Sequence, residues 1–356
     1  MNRITLIEGD GIGPEVVGAA VQVLDASGVP LEWDRRDAGA RAAARHGTPL
    51  PEETIASIAE RRVALKGPTA TPAGSGFRSA NLTLRERLDL HTGVRPCVAL
   101  PGAPTRFPET DLVVIRMNHE DLYAGIEVPA GSKGSEQVRA ALANAGARPP
   151  GADAGLSIKP LSAAAARRTV RTAFAFALSA HRRRVTAVHK ATVMRATDGV
   201  FLETAREVAA EHPDVRFDDR LVDTMCHDLV ARPGEADVLV APVLYGDLLS
   251  DLGAALAGGL GLAPGASFGE ECAVFEPVHG TAPRRAGQDR ANPLAMIRCG
   301  AMLLDHLGEA MAARRLEAAV AAVVAEGVTL TDDMRPHARP AGTEAVAAAV
   351  VAALDR

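Results

Sequence analysis

Two closely spaced aspartates are the clearest chemical feature of the sequence. They lie in residues 244–251 (LYGDLLSD), directly after the apolar run 238–243. Asp247 and Asp251 are four positions apart, so a helix would carry both carboxylates on one face. Such like charges repel unless a cation or a proton lies between them, and hard oxygen ligands suit Mg²⁺ or Mn²⁺. The alternative is that both acids favour a helix N-terminus, where they complement the macrodipole.

Arginines supply a second group of candidate binding residues. Arg85, Arg95 and Arg116 lie close together in the chain, with Ser79 and Asn81 just before them. Arginine forks bind carboxylates through paired hydrogen bonds, and the hydroxyl and amide groups add neutral donors. Each arginine alone has the character of a solvated surface residue. The set, however, indicates a local site for an anion.

The composition limits the partners that such a site can serve. The chain has 356 residues and a net charge of −5, so we expect neither nucleic acid nor a membrane surface as a partner. Hydrophobic residues make up 47% and charged residues 23%, which is typical of a globular protein of this length with about two domains. Aromatic residues are only 3%, which makes Tyr123 and Tyr245 conspicuous.

Cysteine spacing and the first residues predict the compartment. The 4 cysteines are far apart and form no C-x-x-C pair, which indicates neither a disulfide framework nor a structural zinc site. The N-terminus has no signal-peptide pattern, and no apolar run approaches about 18 residues. We therefore expect a soluble, cytoplasmic protein.

Strand-like and helix-like segments alternate, which predicts an α/β architecture. Residues 9–13 (GDGIG) lead into a helix opened by Pro14, but they lack the second half of the Rossmann fingerprint and are interpreted as a tight turn. Residues 129–154, rich in Gly, Pro, Ser and Ala, are expected to leave the main body. The predicted strands are 3–7, 63–65, 112–116, 185–189 and 238–241, and the predicted helices are 51–61, 163–180, 199–211, 309–326 and 343–354.

A series of short motifs resembles a known family from one end of the chain to the other. The motifs are residues 9–15 (GDGIGPE), 65–68 (LKGP), 88–90 (LDL), 95–96 (RP), 121–127 (DLYAGIE), 186–191 (TAVHKA), 244–251 (LYGDLLSD) and 279–283 (HGTAP). In this order they resemble the metal-dependent β-decarboxylating dehydrogenases, the family of isocitrate and isopropylmalate dehydrogenases. The resemblance is greatest to NADP-dependent isocitrate dehydrogenase.

The resemblance implies a discontinuous α/β fold. A large domain on the cofactor side would combine residues 1–90 and 254–356, and a smaller domain would hold residues 91–253. An excursion at about 121–164 would form a dimer clasp. The resemblance also implies a homodimer whose active sites lie in the clefts between domains and are shared between subunits.

The resemblance further implies roles for individual residues. Tyr123 and Lys190 match the acid–base pair, with Lys190 reaching the active site of the partner subunit. Three arginines match a clamp for malate-like carboxylates, and three aspartates match ligands of Mg²⁺ or Mn²⁺, although Asp223 has no support from spacing and is expected to act across the dimer. These arginines and Lys190 balance the formal charge of a tricarboxylate, a divalent metal and the aspartates. The arginines are Arg85, Arg95 and Arg116, and the aspartates are Asp223, Asp247 and Asp251.

Two further sets of residues bear on the substrate and the cofactor. Ser79 and Asn81 match the pair that isocitrate enzymes use for the γ-carboxylate, and an isopropyl group would leave each unsatisfied at a cost of about 1–3 kcal/mol per buried group.

Arg284 and Arg285 stand where NADP-preferring relatives carry Lys and Tyr, and two guanidinium groups suit a 2′-phosphate, so NADP is predicted over NAD. The resemblance implies that the remaining cofactor contacts are His279, Gly280, Thr281, Ala282 and Asn292.

Five positions depart from the family pattern near the substrate and nicotinamide: Ala70, Met117, His119, Thr192 and Val243. The first hypothesis is an NADP-dependent isocitrate dehydrogenase. The second is the same oxidative decarboxylation of an analogue, such as homoisocitrate or 3-(phosphonomethyl)malate, with His119 as an extra donor or as a packing residue. The third is a noncatalytic regulatory homologue, against which the intact acid–base and metal residues weigh.

Overall fold

The computed structural model describes residues 2–72, 76–335 and 339–354, which form the predicted α/β fold. The strands are β1 Asn2–Ile7, β2 Leu31–Arg36, β3 Val63–Lys66, β4 Thr92–Val98, β5 Asp111–Met117, β6 Glu127–Val128, β7 Leu156–Ser157, β8 Arg184–His189, β9 Arg216–Leu221, β10 Val238–Ala241, β11 Ala266–Phe268 and β12 Ala273–Phe275. The helices are α1 Gly13–Ala26, α2 Ala40–His46, α3 Glu52–Arg61, α4 Ala80–Arg87, α5 Lys133–Asn144, α6 Ala163–Ser179, α7 Asp198–Ala210, α8 Val222–Ala231, α9 Val243–Leu256, α10 Leu294–His306, α11 Ala310–Glu326 and α12 Thr343–Leu354.

One ten-stranded sheet runs through the molecule in the order β2-β1-β3-β12-β11-β4-β5-β10-β8-β9. Its pairings are parallel except for β11 with β12, β11 with β4, and β4 with β5. The five strands on the β2 side come from the two ends of the chain, and the five on the β9 side come from its middle. The predicted domain division at residues 90 and 253 therefore falls between β11 and β4, and it stays a prediction because the sheet is continuous there.

Alternate residues of the strands face opposite layers of helices. In β10, Val238 and Val240 pack with α6 and α7, whereas Leu239 and Ala241 pack with α8 and α9. The same alternation separates α1 and α10 from α3 on the β1 side of the sheet. The polar loops after the strands are thus held by apolar layers on both faces.

The sequence pattern places the predicted elements to within one residue at either end. The predicted strand 238–241 and helix 343–354 have the bounds of β10 and α12. Some of the elements that were not predicted are weak in sequence, because β9 (RFDDRL) is a charged edge strand and β11 and β12 have only 3 residues each. The helix α10 was also missed, although it is long, apolar and buried. No helix in the described ranges is both long and apolar enough to cross a membrane.

The glycine turn after β1 docks two other loops. Gly9 and Gly11 have φ values of 75° and 59°, and a Cβ on Gly11 would overlap the carbonyl oxygen of Thr281. Ile12 donates its backbone N–H to that carbonyl at 2.9 Å, and Asp10 donates its own to the carbonyl of Pro68 at 2.8 Å. The turn is tight, as predicted, and its glycines also permit this close approach.

Residues 129–154 contain the helix α5, and the short strands β6 and β7 on either side pair antiparallel. Ser132 caps α5, because its hydroxyl accepts the backbone N–H of Ser135 at 3.2 Å. Ile126 and Ile158 flank this segment with 43% and 42% of their surface exposed. The role of the segment as a dimer clasp stays a prediction.

Candidate active site

The carboxylate of Asp247 is the common hydrogen-bond acceptor for two arginines and a tyrosine. Its Oδ1 accepts from Arg116 at 2.5 Å and from Arg95 at 3.0 Å. Its Oδ2 accepts from the hydroxyl of Tyr123 at 2.6 Å. Arg95 also donates to Ser250 at 2.6 Å, one turn further along α9. The structure therefore brings together residues with three predicted roles. These are a metal ligand, two arginines for the substrate and one member of the acid–base pair.

Four elements converge on this cluster. Arg95 lies on β4, Arg116 lies near the end of β5, and Tyr123 lies in a 3₁₀ turn at Asp121–Ala124. The helix α9 lies directly on Arg116, because a Cβ on Gly246 would be only 2.7 Å from the Cγ of Arg116. Arg116 in turn donates its Nε–H to the carbonyl of Val243, the first residue of α9, at 3.0 Å. Only glycine at position 246 allows this approach.

The electrostatics of the cluster favour an ionised aspartate beside a protonated tyrosine. Burial would raise the pKa of Asp247, but the charges of Arg116 and Arg95 and the hydrogen bond from Tyr123 outweigh it and hold that pKa below its usual range. Burial and the Asp247 carboxylate together raise the pKa of Tyr123. The phenol keeps its proton at neutral pH, as an ordinary tyrosine does, and it is its position beside Asp247 that makes it a candidate proton donor.

Asp251 completes a donor set that fits a divalent cation. Asp247 and Asp251 lie beyond the first turn of α9, so the helix macrodipole does not account for them. Partial desolvation and the charge of Asp247 raise the pKa of Asp251, although Arg95 opposes the shift. Within the described residues Asp251 makes no ion pair. An unpaired carboxylate beside a second one suits a hard cation with oxygen ligands.

Asp223 and Lys190 pair with each other and stay outside this cluster. The ammonium group of Lys190 lies 2.5 Å from the carboxylate of Asp223, and this hydrogen bond lowers the pKa of Asp223. In the part of the chain that the structure describes, no three His, Cys, Asp or Glu side chains assemble into a metal site. Both residues are predicted to act in the active site of a partner subunit, and that remains a prediction.

Arg85 is held by an acid that sequence analysis overlooked. Its guanidinium donates to Glu276 at 2.8 Å, and the buried ammonium of Lys66 donates to the same carboxylate at 2.7 Å. Burial would raise the pKa of Glu276, but the two cations lower it strongly. The Nε of Arg85 is buried without a partner in the described structure, as is one terminal nitrogen of Arg116. Such free buried donors fit a carboxylate ligand.

His119 supports the backbone of Arg85. Its Nε2 lies 3.0 Å from the carbonyl oxygen of Arg85, and its Nδ1 lies 3.4 Å from Asp89. The Nε2 atom is therefore engaged with the backbone, and Nδ1 faces Asp89. Of the two roles considered for His119, this geometry favours a packing residue.

The other departures from the family pattern lie in varied surroundings. Met117 is buried in the core formed with α6, on the face of β5 opposite Arg116, and Val243 is fully buried at the start of α9. Ala70 donates its backbone N–H to Asp10 at 2.8 Å. Thr192 is exposed. The altered side chains at 117 and 243 therefore serve packing.

Ser79 and Asn81 lie at the start of α4. Ser79 precedes the helix, and its side chain makes no capping hydrogen bond. The side-chain oxygen of Asn81 accepts from the hydroxyl of Thr69 at 2.9 Å, which leaves its amide group to donate elsewhere. Both residues are partly exposed and remain candidate substrate ligands.

The predicted cofactor residues lie in the loop after β12. The Nδ1 of His279 lies 3.0 Å from the carbonyl of Gly280, and its Nε2 is buried with no partner among the described residues. The neighbouring Thr281 is held by the glycine turn, and Ala282 adopts a φ of 35°. An orphaned ring nitrogen beside this unusual backbone fits a ligand with hydrogen-bonding groups, as a nucleotide has.

The charged residues of the same region are partly paired. Arg285 donates to Asp332 at 2.5 Å, whereas Arg284 is exposed. The amide of Asn292 donates to Asp333 at 3.0 Å. Of the two arginines predicted at a 2′-phosphate, Arg284 is thus the one that makes no ion pair within the described residues.

Asp10 organises the loops around the site, and no sequence pattern identified it. Its carboxylate accepts the backbone N–H groups of Ala40, Arg41 and Ala70 at 2.8, 2.9 and 2.8 Å. It is buried, with 4% of its surface exposed. Its position in the glycine turn was the available signal, because a short acid there can satisfy free backbone donors.

Comparisons with known proteins agree on one family. The family model for isocitrate/isopropylmalate dehydrogenase matches residues 3–350. The human mitochondrial NAD isocitrate dehydrogenase subunit alpha is 41% identical over 340 residues, which covers 95% of this chain and 87% of that protein. An NADP isocitrate dehydrogenase of Archaeoglobus fulgidus is 40% identical over 378 residues, covering 98% of this chain and 92% of that protein. A crystal structure of isocitrate dehydrogenase from Methylococcus capsulatus superposes with a TM-score of 0.93 at 45% identity and covers 100% of both chains.

Proposed function

The chain belongs to the isocitrate/isopropylmalate dehydrogenase family, and on that premise we propose that it oxidatively decarboxylates isocitrate to 2-oxoglutarate and CO₂ with reduction of NADP. The observation that carries this proposal is the cluster on Asp247. Two arginines suited to carboxylates and a phenol donate to Asp247, and Asp251 lies one turn further along the same helix. Such a cluster serves a small polyanionic substrate bound beside a divalent metal. A noncatalytic homologue would not need the predicted acid–base tyrosine and the predicted metal-binding carboxylate to be in contact.

Each of the predicted site residues has a distinct task in this reaction. Arg95 and Arg116 bind the malate carboxylates and exchange part of their contact with Asp247 for the substrate. Lys190 of the partner subunit, in its neutral amine form, takes the hydroxyl proton, either directly or through a water or an aspartate. The hydroxyl of Tyr123 holds the proton that later goes to the carbon that has lost CO₂. A Mg²⁺ or Mn²⁺ ion on the aspartates would lower the pKa of the substrate hydroxyl, and the nicotinamide would accept the hydride.

We further propose that the γ-group of the substrate is a carboxylate. Ser79 and Asn81 offer neutral donors at the start of α4, and the buried free Nε of Arg85 lies in the same helix. Polar donors favour a γ-carboxylate over an isopropyl group. The alternative is an analogue with a larger anionic γ-group, such as homoisocitrate or 3-(phosphonomethyl)malate. Such an analogue would undergo the same oxidative decarboxylation, and only the group that binds these donors would differ.

A panel of substrates tests the function. With NADP and Mg²⁺ we expect the largest kcat/KM for isocitrate among isocitrate, 3-isopropylmalate, D-malate, homoisocitrate and 3-(phosphonomethyl)malate, measured as NADPH formation. Isopropylmalate should be lower by at least about tenfold, since unpaired buried donors cost about 1–3 kcal/mol each. Strong turnover of another member beside poor turnover of isocitrate would replace isocitrate by that substrate. No turnover of any member would overturn the proposal.

The preference for NADP rests on the arginines after Pro283. Arg284 is exposed, and Arg285 is held by Asp332, which also pairs with Arg290 at 2.7 Å. Guanidinium groups at this edge suit a 2′-phosphate, and no acidic residue stands at 284 or 285 to accept a ribose hydroxyl. The relatives include both NAD and NADP enzymes, so the cofactor has to be measured.

Reversing the charge at position 284 tests the cofactor. We expect Arg284→Asp to raise the KM for NADP by about 10-fold or more, because a charge-assisted contact becomes a repulsion, and to change the KM for NAD much less. The matched control is Arg314→Asp on α11, another exposed arginine. Equal effects on both cofactors would refute a 2′-phosphate contact.

We propose that the protein is a homodimer of two-domain subunits with shared active sites, and that it is soluble and cytoplasmic, as its cysteine usage suggests. The support is apolar exposure near the predicted catalytic residues. Val193, close to Lys190, is 71% exposed, Leu248, next to Asp247, is 59% exposed, and Val230 on α8 is 51% exposed. Covering such side chains stabilises association. It would also bring the Lys190–Asp223 pair to the Asp247 cluster of a second chain.

Complementation between two inactive variants tests the shared sites. Tyr123→Phe and Lys190→Met should each be nearly inactive as homodimers. A mixed dimer would have one site with both wild-type residues, so an equal mixture refolded together should recover about a quarter of wild-type activity. Two variants of the same residue, Tyr123→Phe with Tyr123→Ala, form the control and should recover none. Absence of recovery in the first mixture would show that Tyr123 and Lys190 act within one chain.

A further inference from the structure

Lys159 places its ammonium group between two fully buried carboxylates. Its Nζ lies 2.5 Å from the Oδ1 of Asp198 and 3.7 Å from the Oδ1 of Asp121, and both aspartates have 0% of their side chains exposed. The same ammonium lies over the ring of Tyr245, 4.8 Å from its centroid. Among the described residues neither aspartate has another cationic partner within 4.0 Å. Two buried acids thus depend on one cation.

Asp121 holds the turn that carries Tyr123. Its two carboxylate oxygens accept the backbone N–H of Leu122 at 2.8 Å and of Leu244, in the first turn of α9, at 3.1 Å. Glu120 and Asp121 have positive φ values of 64° and 54°, which cost side-chain-bearing residues energy. A strained turn persists only where its surroundings fix it. Asp121 therefore ties Tyr123 to the helix that carries Asp247.

Asp198 holds the loop that carries Lys190. Its Oδ2 accepts the backbone N–H of Lys190 at 2.7 Å, while its Oδ1 accepts from Lys159. The side chain of Lys190 leaves this fixed backbone to reach Asp223. The starting direction of the Lys190 side chain is thus set by a carboxylate that is itself neutralised by Lys159.

We propose that Lys159 is a positioning residue for both members of the acid–base pair, acting through Asp121 on Tyr123 and through Asp198 on Lys190. Without its ammonium, two carboxylates would be left buried and unpaired close to each other, so one would gain a proton or the loops would move apart. The inference rests on the proposed function. If the active sites are shared, each chain gives Tyr123 to its own site and Lys190 to that of its partner, so one Lys159 links both sites of the dimer.

The kinetic test compares Lys159→Met with Lys159→Arg and with Lys133→Met, which removes an exposed lysine in α5. Below the Tm of every variant we expect Lys159→Met to lower kcat by at least about tenfold, because small misplacements of reacting groups cost up to about 100-fold. KM should change little, and Lys159→Arg should recover most of kcat. A kcat within about twofold of the Lys133→Met value would overturn the proposal.

A double-mutant cycle separates positioning from a general loss of stability. If Lys159 acts through Tyr123, Lys159→Met loses most of its effect on kcat in a Tyr123→Phe background, because the group being positioned is gone. Full additivity of the two effects overturns that coupling. Lys159→Gln serves as a second neutral variant if the methionine variant does not fold.

Hydrogen exchange provides a test of the positioning role that needs no substrate. Lys159→Met should speed exchange at the amides of Leu122, Lys190 and Leu244, which donate to the two aspartates, relative to Lys133→Met. Unchanged exchange at these amides overturns the inference even if the enzyme is active. Faster exchange in a protein that turns over no substrate supports the positioning and rejects only the proposed function.

Discussion

The acceptance of three donors by the single carboxylate of Asp247 is the interaction on which the site depends. Arg95, Arg116 and Tyr123 come from separate elements, and each donates to one of its two oxygens. Two guanidinium groups in such a small space would repel each other without this charge, and the phenol would lose its hydrogen-bond acceptor. The carboxylate therefore fixes the mutual positions of the carboxylate-binding arginines and the proton donor.

The fold provides this arrangement through close contact between α9 and β5. Gly246 lets the helix lie on the side chain of Arg116, and the antiparallel pairing of β4 with β5 brings Arg95 alongside. Around this centre, other buried acids fix the remaining loops: Glu276 holds Arg85, and Asp121 and Asp198 share Lys159. Each of these acids is matched to a cation or to backbone N–H groups, as buried charge requires.

Much of the frame could be predicted from the sequence, because apolar periodicity is strong in buried elements such as β10 and α12. The candidate site residues came from motif resemblance, and Asp247 was recognisable from its spacing. Glu276 and Lys159 could not be found this way, because their partners lie far away in sequence and only the fold brings them together. The choice between the two roles considered for His119 could not be made from the sequence either, since it depends on the position of the Arg85 carbonyl.

The titration of Tyr123 tests the central role of Asp247 most directly. The chain has only two tyrosines, so Tyr245→Phe leaves Tyr123 as the only phenol whose ionisation is followed by absorbance. We predict a midpoint above the ordinary pKa of tyrosine, since burial and Asp247 both raise it, and a lower midpoint when Asp247→Asn is added. Asp251→Asn, as the control, should leave it nearly unchanged. An identical midpoint with and without the Asp247 carboxylate would show that Asp247 does not hold the phenol of Tyr123.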